Sequence, residues 1–180
     1  MRRHALSAIG RDQPGIVAAV SQALLAHSVN IEDSQMTILR GHFTMMLVVA
    51  VPGDADLAAL RADLDDVRGR LGLDALTLGE LEGGNPAEEP VPSHILTVYG
   101  ADHPGIVHAA TAALAERGVD ITDLNTKLVG EGAEPPLYAL MMEIAPPEGL
   151  DTAELQAALE RVAAEQGVEV TLRPLEQDAL

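Results

Sequence analysis

Gly10-Arg11-Asp12-Gln13-Pro14-Gly15-Ile16-Val17 returns ninety residues later as Gly100-Ala101-Asp102-His103-Pro104-Gly105-Ile106-Val107. The correspondence runs outward from there. Val29-Asn30-Ile31-Glu32-Asp33 has its counterpart in Val119-Asp120-Ile121-Thr122-Asp123, and residues 4–33 laid over 94–123 without a gap share 14 identities in 30 positions. Unrelated segments of that length share about two or three at ordinary residue frequencies, so the chain is a duplication. A repeat of this kind decides the architecture before any single residue does.

The 180 residues therefore divide into a first module at 1–82, a linker at 83–92 and a second module at 93–180. The linker, Gly83-Gly84-Asn85-Pro86-Ala87-Glu88-Glu89-Pro90-Val91-Pro92, has the Gly, Pro and Glu content of exposed connecting chain. With one Phe and two Tyr in the whole sequence, each core is built from Val, Ile, Leu, Met and Ala. So small a core buries a modest share of its surface and gains from packing against a twin.

Within the first module His4–Ile9 is a strand candidate closed by Gly10; in the second, His94–Tyr99 is richer in β-branched and aromatic residues. Asp12 is positioned to cap a helix and Pro14 suits its first turn. Ile16, Val17, Val20 and Leu24 form an apolar stripe at helical spacing, as do Ile106, Val107, Ala110 and Leu114. Gly118 closes the second of these helices, where the first copy has Ser28. A strand from Val29 to Leu39, a turn at Arg40-Gly41-His42 and an apolar strand from Phe43 to Val51 follow, stopped by Pro52-Gly53-Asp54. Leu57, Leu60, Leu64, Val67 and Leu71 describe a second helix, and Leu76-Thr77-Leu78 a fourth strand. The second copy repeats the order through Lys127–Val129, Leu137–Ile144, a helix at Leu155, Leu159 and Val162, and Val168–Leu172. Its hairpin is five residues longer, Gly130 to Pro136 standing for the short turn. The fold class is thus α+β: two ferredoxin-like βαββαβ modules, each with two helices on one face of a four-stranded antiparallel sheet. Phe43–Val51 is too apolar for both its faces to meet water, which predicts association through a free face or edge.

The formal net charge is −17, with 11 Lys+Arg against 28 Asp+Glu. Such an excess repels phosphate backbones and anionic bilayers, and no basic stripe or zinc-finger spacing offsets it. Direct nucleic-acid binding and membrane binding are excluded on this ground. There is no cysteine, which removes disulfides, thiolate metal sites and thiol nucleophiles together. No apolar stretch approaches the length of a membrane span, so a cytoplasmic protein is expected.

The repeated turn joins the carboxyl end of a strand to the amino end of a helix, whose unpaired N–H groups favour a carboxylate or phosphate. Gly15 and Gly105 leave the backbone open to close approach. Asn30 and Asp33, with Asp120 and Asp123, are acceptors for an ammonium group. Carboxylate donors beside amine acceptors describe a site for an α-amino acid. A plainer reading stands next to it: Asp12 and Asp102 cap helices, and the glycines permit tight turns.

Strand, Gly-x-Asp-x-Pro-Gly-Ile-Val, helix and Val-Asn-Ile-x-Asp resemble the ACT domain, a small regulatory module that commonly binds amino acids. The resemblance covers both modules, and a free-standing pair resembles the glycine cleavage system transcriptional repressor family. It implies ligand sites at interfaces between modules, near the first strand-to-helix loop and the start of the second strand. Carried over, these are Arg11, Asp12, Gln13, Gly15 and Asn30, then Ala101, Asp102, His103, Gly105 and Asp120. Asp120 departs from the residue type usual at that place, where Asn30 keeps it; the first site is the better match, or the two prefer different ligands.

His4 and His94 are repeat equivalents and read as inherited structure. His94, His103 and His108 are the histidines that a metal site would use, yet no His-x-x-x-His or paired acidic spacing supports one. Met36, Met45, Met46, Met141 and Met142 fall in strands, where packing explains them. Nucleophile elbow, P-loop and His-Glu-x-x-His patterns are all missing. The expectation is a non-catalytic, amino-acid-binding regulator with no cofactor, a homodimer acting through a partner protein. A constitutive protein–protein adaptor with vestigial pockets is the alternative, and a small metal-dependent enzyme the third. A purine or another small anion is also compatible with a helix amino terminus.

Overall fold

Strand β1 (Arg2–Arg11) lies inside the first sheet, antiparallel to β3 (His42–Val51) on one side and β4 (Ala75–Glu80) on the other. β2 (Asn30–Leu39) pairs antiparallel with the far edge of β3, giving the order β2-β3-β1-β4. Helices α1 (Ile16–Ala26) and α2 (Leu57–Leu71) complete a βαββαβ module. The second copy consists of β5 (His94–Ala101), α3 (Ile106–Ala115), β6 (Asp120–Val129), β7 (Leu137–Ala145), α4 (Thr152–Gln166) and β8 (Val168–Pro174), in the order β6-β7-β5-β8. This is the α+β, doubled ferredoxin-like architecture expected from the repeat. The computed structural model describes residues 1–81, 89–129 and 136–175; most of the predicted linker and of the longer hairpin lies outside them. The chain separates into Met1–Asn85 and Pro86–Leu180.

Alternation fixes which face each strand buries. Along β3, Phe43, Met45, Leu47 and Val49 enter the core with Leu6 and Ala8 of β1, while Met46 between them is exposed. From α1 come Ile16, Val20, Ala23 and Leu24, and from α2 Leu60, Leu64 and Val67. Val17, expected in the stripe, is 47% exposed: it lies on the rim, and Ala23 occupies the buried position instead. The second core repeats the first with Leu96, Val98, Ile106, Leu114, Leu140, Met142, Leu155 and Leu159. β2 differs from its neighbours, because all ten of its residues are exposed. Its side chains on the helix side, including Ile31, Met36 and Ile38, extend past the cover of the two helices.

Both first helices end in the same αL turn. Ser28 N–H donates to the Leu25 carbonyl and Val29 N–H to that of Leu24; in the second copy Gly118 and Val119 make the equivalent bonds to Ala115 and Leu114. The residue in the left-handed position is Gly118 at φ 65 but Ser28 at φ 55, and only glycine takes that conformation without a steric cost. Ser28→Gly is expected to raise stability by about 0.5–1 kcal/mol and Gly118→Ser to lower it by a similar amount, read as opposite shifts in the urea midpoint.

Candidate functional site

The four helices begin in two different ways. Asp56 caps α2 by accepting from Ala58 N–H (2.9 Å) and Ala59 N–H (3.1 Å), and Asp151 caps α4 by accepting from Ala153 N–H (2.8 Å). α1 and α3 start instead at Gly15 (φ 97) and Gly105 (φ 109), with no side-chain cap and no acidic residue in the first turn. The expectation that Asp12 and Asp102 cap these helices is therefore corrected. The left-handed glycine starts each helix three residues beyond the aspartate, and Pro14 lies in the turn before the helix rather than in its first turn. Asp12 N–H donates to the Gly41 carbonyl (2.9 Å) and Asp102 N–H to that of Pro136 (2.8 Å), which fastens each loop to the adjacent hairpin. The amino ends of α1 and α3 thus keep unpaired N–H donors. A Cβ built on Gly15 would meet nothing within 4 Å, so the approach to the backbone is open there.

Gln13 and His103 occupy the same repeat position and make the same contact. Gln13 Nε2–H donates to the carbonyl of Leu71, the last residue of α2. His103 Nε2 faces the carbonyl of Gln166, the last residue of α4, at 2.8 Å, and its Nδ1 faces the Pro104 carbonyl at 3.0 Å. The hydrogen bonds to Pro104 and then Gln166, with a smaller contribution from Asp102, raise the His103 pKa above its usual 6.5 against the opposing effect of desolvation.

The remaining residues lie elsewhere. Asn30 opens β2 opposite Ala50, which in turn is opposite Arg3; Arg11 is at the other end of β1, opposite His42. At a strand rise of about 3.4 Å per residue, the loop and Asn30 of one module are roughly 27 Å apart. β1 and β2 run the same way, so the end of one and the start of the other fall at opposite ends of the sheet, and a single module does not set the loop's donors beside its own Asn30. Asp33 follows a bulge between Ile31 and Asp33, opposite Val48, and its Oδ1 accepts from Ser34 N–H at 2.7 Å. Asp120 lies opposite Ala145 at the start of β6; Asp123, past the matching bulge, accepts from Asn125 Nδ2 at 2.6 Å.

Charge distinguishes the two loops. Arg11 and His42 are cross-strand partners on the face away from the helices, with Arg40 in the hairpin turn at φ 50. Ala101 stands where Arg11 does. His42 was not a candidate on the sequence, since only the strand register places it opposite Arg11. A groove of about 1060 Å³ runs along the helix layer from Gly15, between alanines of α1 (Ala19, Ala23) and acidic residues of α2 (Asp63, Asp66). Gln22 and Arg70 also line it, but beside Asp63, Asp65 and Asp66 a single cation leaves the groove acidic and unfavourable to a carboxylate, so the loop rather than the groove is the candidate. Among the described residues, no three His, Asp or Glu side chains are placed to hold a metal ion. Nor is any described helix long and apolar enough to cross a membrane.

Comparison with known proteins agrees with this fold. The chain is 30% identical over 168 residues, 93% of its length, to the phosphoserine phosphatase SerB2 of Mycobacterium tuberculosis, and spans 39% of that enzyme. A protein from Galdieria sulphuraria has the same fold over 97% of this chain and 98% of its own, with a TM-score of 0.77 and 29% identity. A candidate glycine cleavage system transcriptional repressor superposes over 97% of each chain with a TM-score of 0.70 at 16% identity, a likeness of fold. The ACT domain model matches residues 5–76 and again 94–173. Two βαββαβ units, each opening on the same uncapped glycine turn and each matched in its own right, place the chain in the ACT domain family.

Proposed function

We propose that this protein is a non-catalytic regulator that binds an α-amino acid at its repeated glycine loops. The observation that carries the reading is the contrast in capping: α2 and α4 have aspartate caps, whereas α1 and α3 begin at a bare glycine. Those free N–H groups favour a carboxylate. Asn30, and in the second copy Asp120, would take the ammonium group, but each is at the far end of its own sheet. A complete site therefore needs the loop of one copy of the chain set against the β2 or β6 start of a second copy. Antiparallel pairing of β2-type edges would achieve this, and exposed Ile31, Met36 and Ile38 would be covered by it. A homodimer follows from the same argument. The acidic surface directs any effect on transcription through a partner protein rather than DNA.

A thermal-shift screen of the twenty amino acids tests the reading. A ligand at about 100 times its Kd adds about 2.7 kcal/mol to the native state, a rise of roughly 5–10 °C for a chain of this size. Asn30→Ala is expected to abolish most of that rise while leaving the unliganded Tm within a degree or two. A flat response to all twenty would favour the constitutive adaptor.

A further inference from the structure

We propose that position 103 is a positioning residue, and that His103 holds the β5–α3 loop to the end of α4 most firmly while its imidazole carries both protons, since only then do both ring nitrogens donate. The first module holds its equivalent loop with Gln13 and so does the same at any pH. The consequence for ligand binding rests on the proposed role of these loops; the tether itself does not.

Hydrogen-bond chemistry decides the protonation state. Both ring nitrogens of His103 face carbonyl oxygens, of Pro104 at 3.0 Å and Gln166 at 2.8 Å. A carbonyl only accepts, and neutral imidazole has one N–H and one lone pair. In either neutral tautomer one nitrogen lone pair would point at an oxygen lone pair. The imidazolium satisfies both contacts at once. The carbonyl from α4 belongs to its final residue, before the left-handed Gly167 at φ 64, where the helix has unpaired acceptors and the negative end of its dipole. A cation is favoured there; a glutamine amide, as at Gln13 on Leu71, makes the same bond without a charge.

The surroundings are divided: desolvation lowers the His103 pKa by more than Asp102 raises it, so the two carbonyl bonds carry the upward shift. Asp102, on the loop itself, is the charged group that acts on the ring, and it favours protonation. α4 presents the Gln166 carbonyl and its neutral side chain, whose Oε1 would lie 3.4 Å from a Cβ on Gly105. β8 contributes the apolar Val168, against Gly100 at the root of the loop. With the folded-state pKa raised above 6.5, both bonds are present below that value, and one of them is lost, weakening the tether, as pH rises through the folded pKa. The loop would then be held to α4 less firmly, and a ligand needing its backbone donors would bind more weakly in the second module only.

The test uses the full chain without ligand. The His103 ring is followed by NMR from about pH 5 to about pH 8, with His103→Gln to assign it. Amide exchange of residues 102–107 is measured in parallel and corrected for the intrinsic pH dependence. Expected are an apparent His103 pKa above that of an unfolded-peptide histidine, and loop protection that falls through the same pH range. His103→Gln should retain protection and lose its pH dependence, and Gln13→His should bring that dependence to residues 12–17. A His103 titration at or below the ordinary value, or protection in the natural protein that is flat across the range, would overturn the proposal. If either variant fails to fold, the titration of the natural protein still decides. Failure of the amino-acid screen leaves these readouts untouched, so the two ideas fail separately.

Discussion

Leu155→Ala is expected to destabilise the second module by about 3 kcal/mol, within the 2–5 kcal/mol usual for a buried leucine. Leu155 has no exposed surface and faces the sheet from the first turn of α4, in the core that contains Leu96, Leu140, Met142 and Ile144. Truncation removes the transfer energy of its side chain and leaves a void whose cost depends on how far the surroundings relax. They have little with which to fill it, because the neighbouring helix positions are largely alanines: Ala110, Ala113, Ala158 and Ala163 are all buried. The loss should appear as a lower urea midpoint for the second module and faster exchange of β5 and β7 amides. Leu155→Met, which conserves volume, should cost less than about 1.5 kcal/mol. Since the two cores share no residue, protection of β1 and β3 should change little; equal losses in both modules would show that the cores unfold as one.

The architecture was legible where periodicity is strong. Leu60, Leu64 and Val67 at helical spacing mark the buried side of α2, and the structure buries them, whereas the unbroken apolar run Phe43–Val51 hid its alternation until the structure buried Phe43, Met45 and Leu47 and exposed Met46. It was less legible where burial depends on which element overhangs which. Ile31, Met36 and Ile38 look like core residues in sequence, yet β2 is an outer strand beyond the helices. Arg2 and Arg3 do not look like strand residues, but β1 includes them, with Glu80 at 3.7 Å from Arg2 and Glu32 at 2.7 Å from Arg3.

The candidate site was legible in part for the same reason. The glycine turn is local, so its donors and open approach follow from residues 10–17 alone. Sequence proximity of the loop to Asn30 implied a single pocket, whereas the parallel course of β1 and β2 separates them by the length of the sheet. Gln13 and His103 looked like ligand residues because they sit in the loop. Their partners are helix carbonyls 58 and 63 residues away, and no local pattern reveals a contact of that range.

Gly100→Ala is expected to destabilise the second module by about 2–3 kcal/mol, the upper part of the range for overpacking. Gly100 is directly opposite Val168, where β5 meets the first residue of β8. A Cβ there would stand 2.7 Å from Val168 Cγ1, 3.0 Å from its Cβ and 3.1 Å from its Cα. None of these is the free end of a long side chain, so relief requires β8 to move. Movement of β8 would also disturb Gly167 and Gln166, which precede it and receive the His103 tether. Gly10 is the equivalent position, and there the nearest atom, at 2.9 Å, is Leu73 Cδ2, with Leu73 Cα at 3.1 Å. A leucine terminus swings aside more readily than a β-branched valine, so Gly10→Ala should cost about 1–2 kcal/mol. The double variant Gly100→Ala with Val168→Ala separates side-chain from backbone conflict. Removing Cγ1 relieves the 2.7 Å contact but leaves the Cβ and Cα distances as they are, which predicts a partial rescue and a coupling energy of about 1 kcal/mol. Full additivity of the two substitutions in urea unfolding would mean that the close approach at Gly100 contributes nothing to the stability of this sheet.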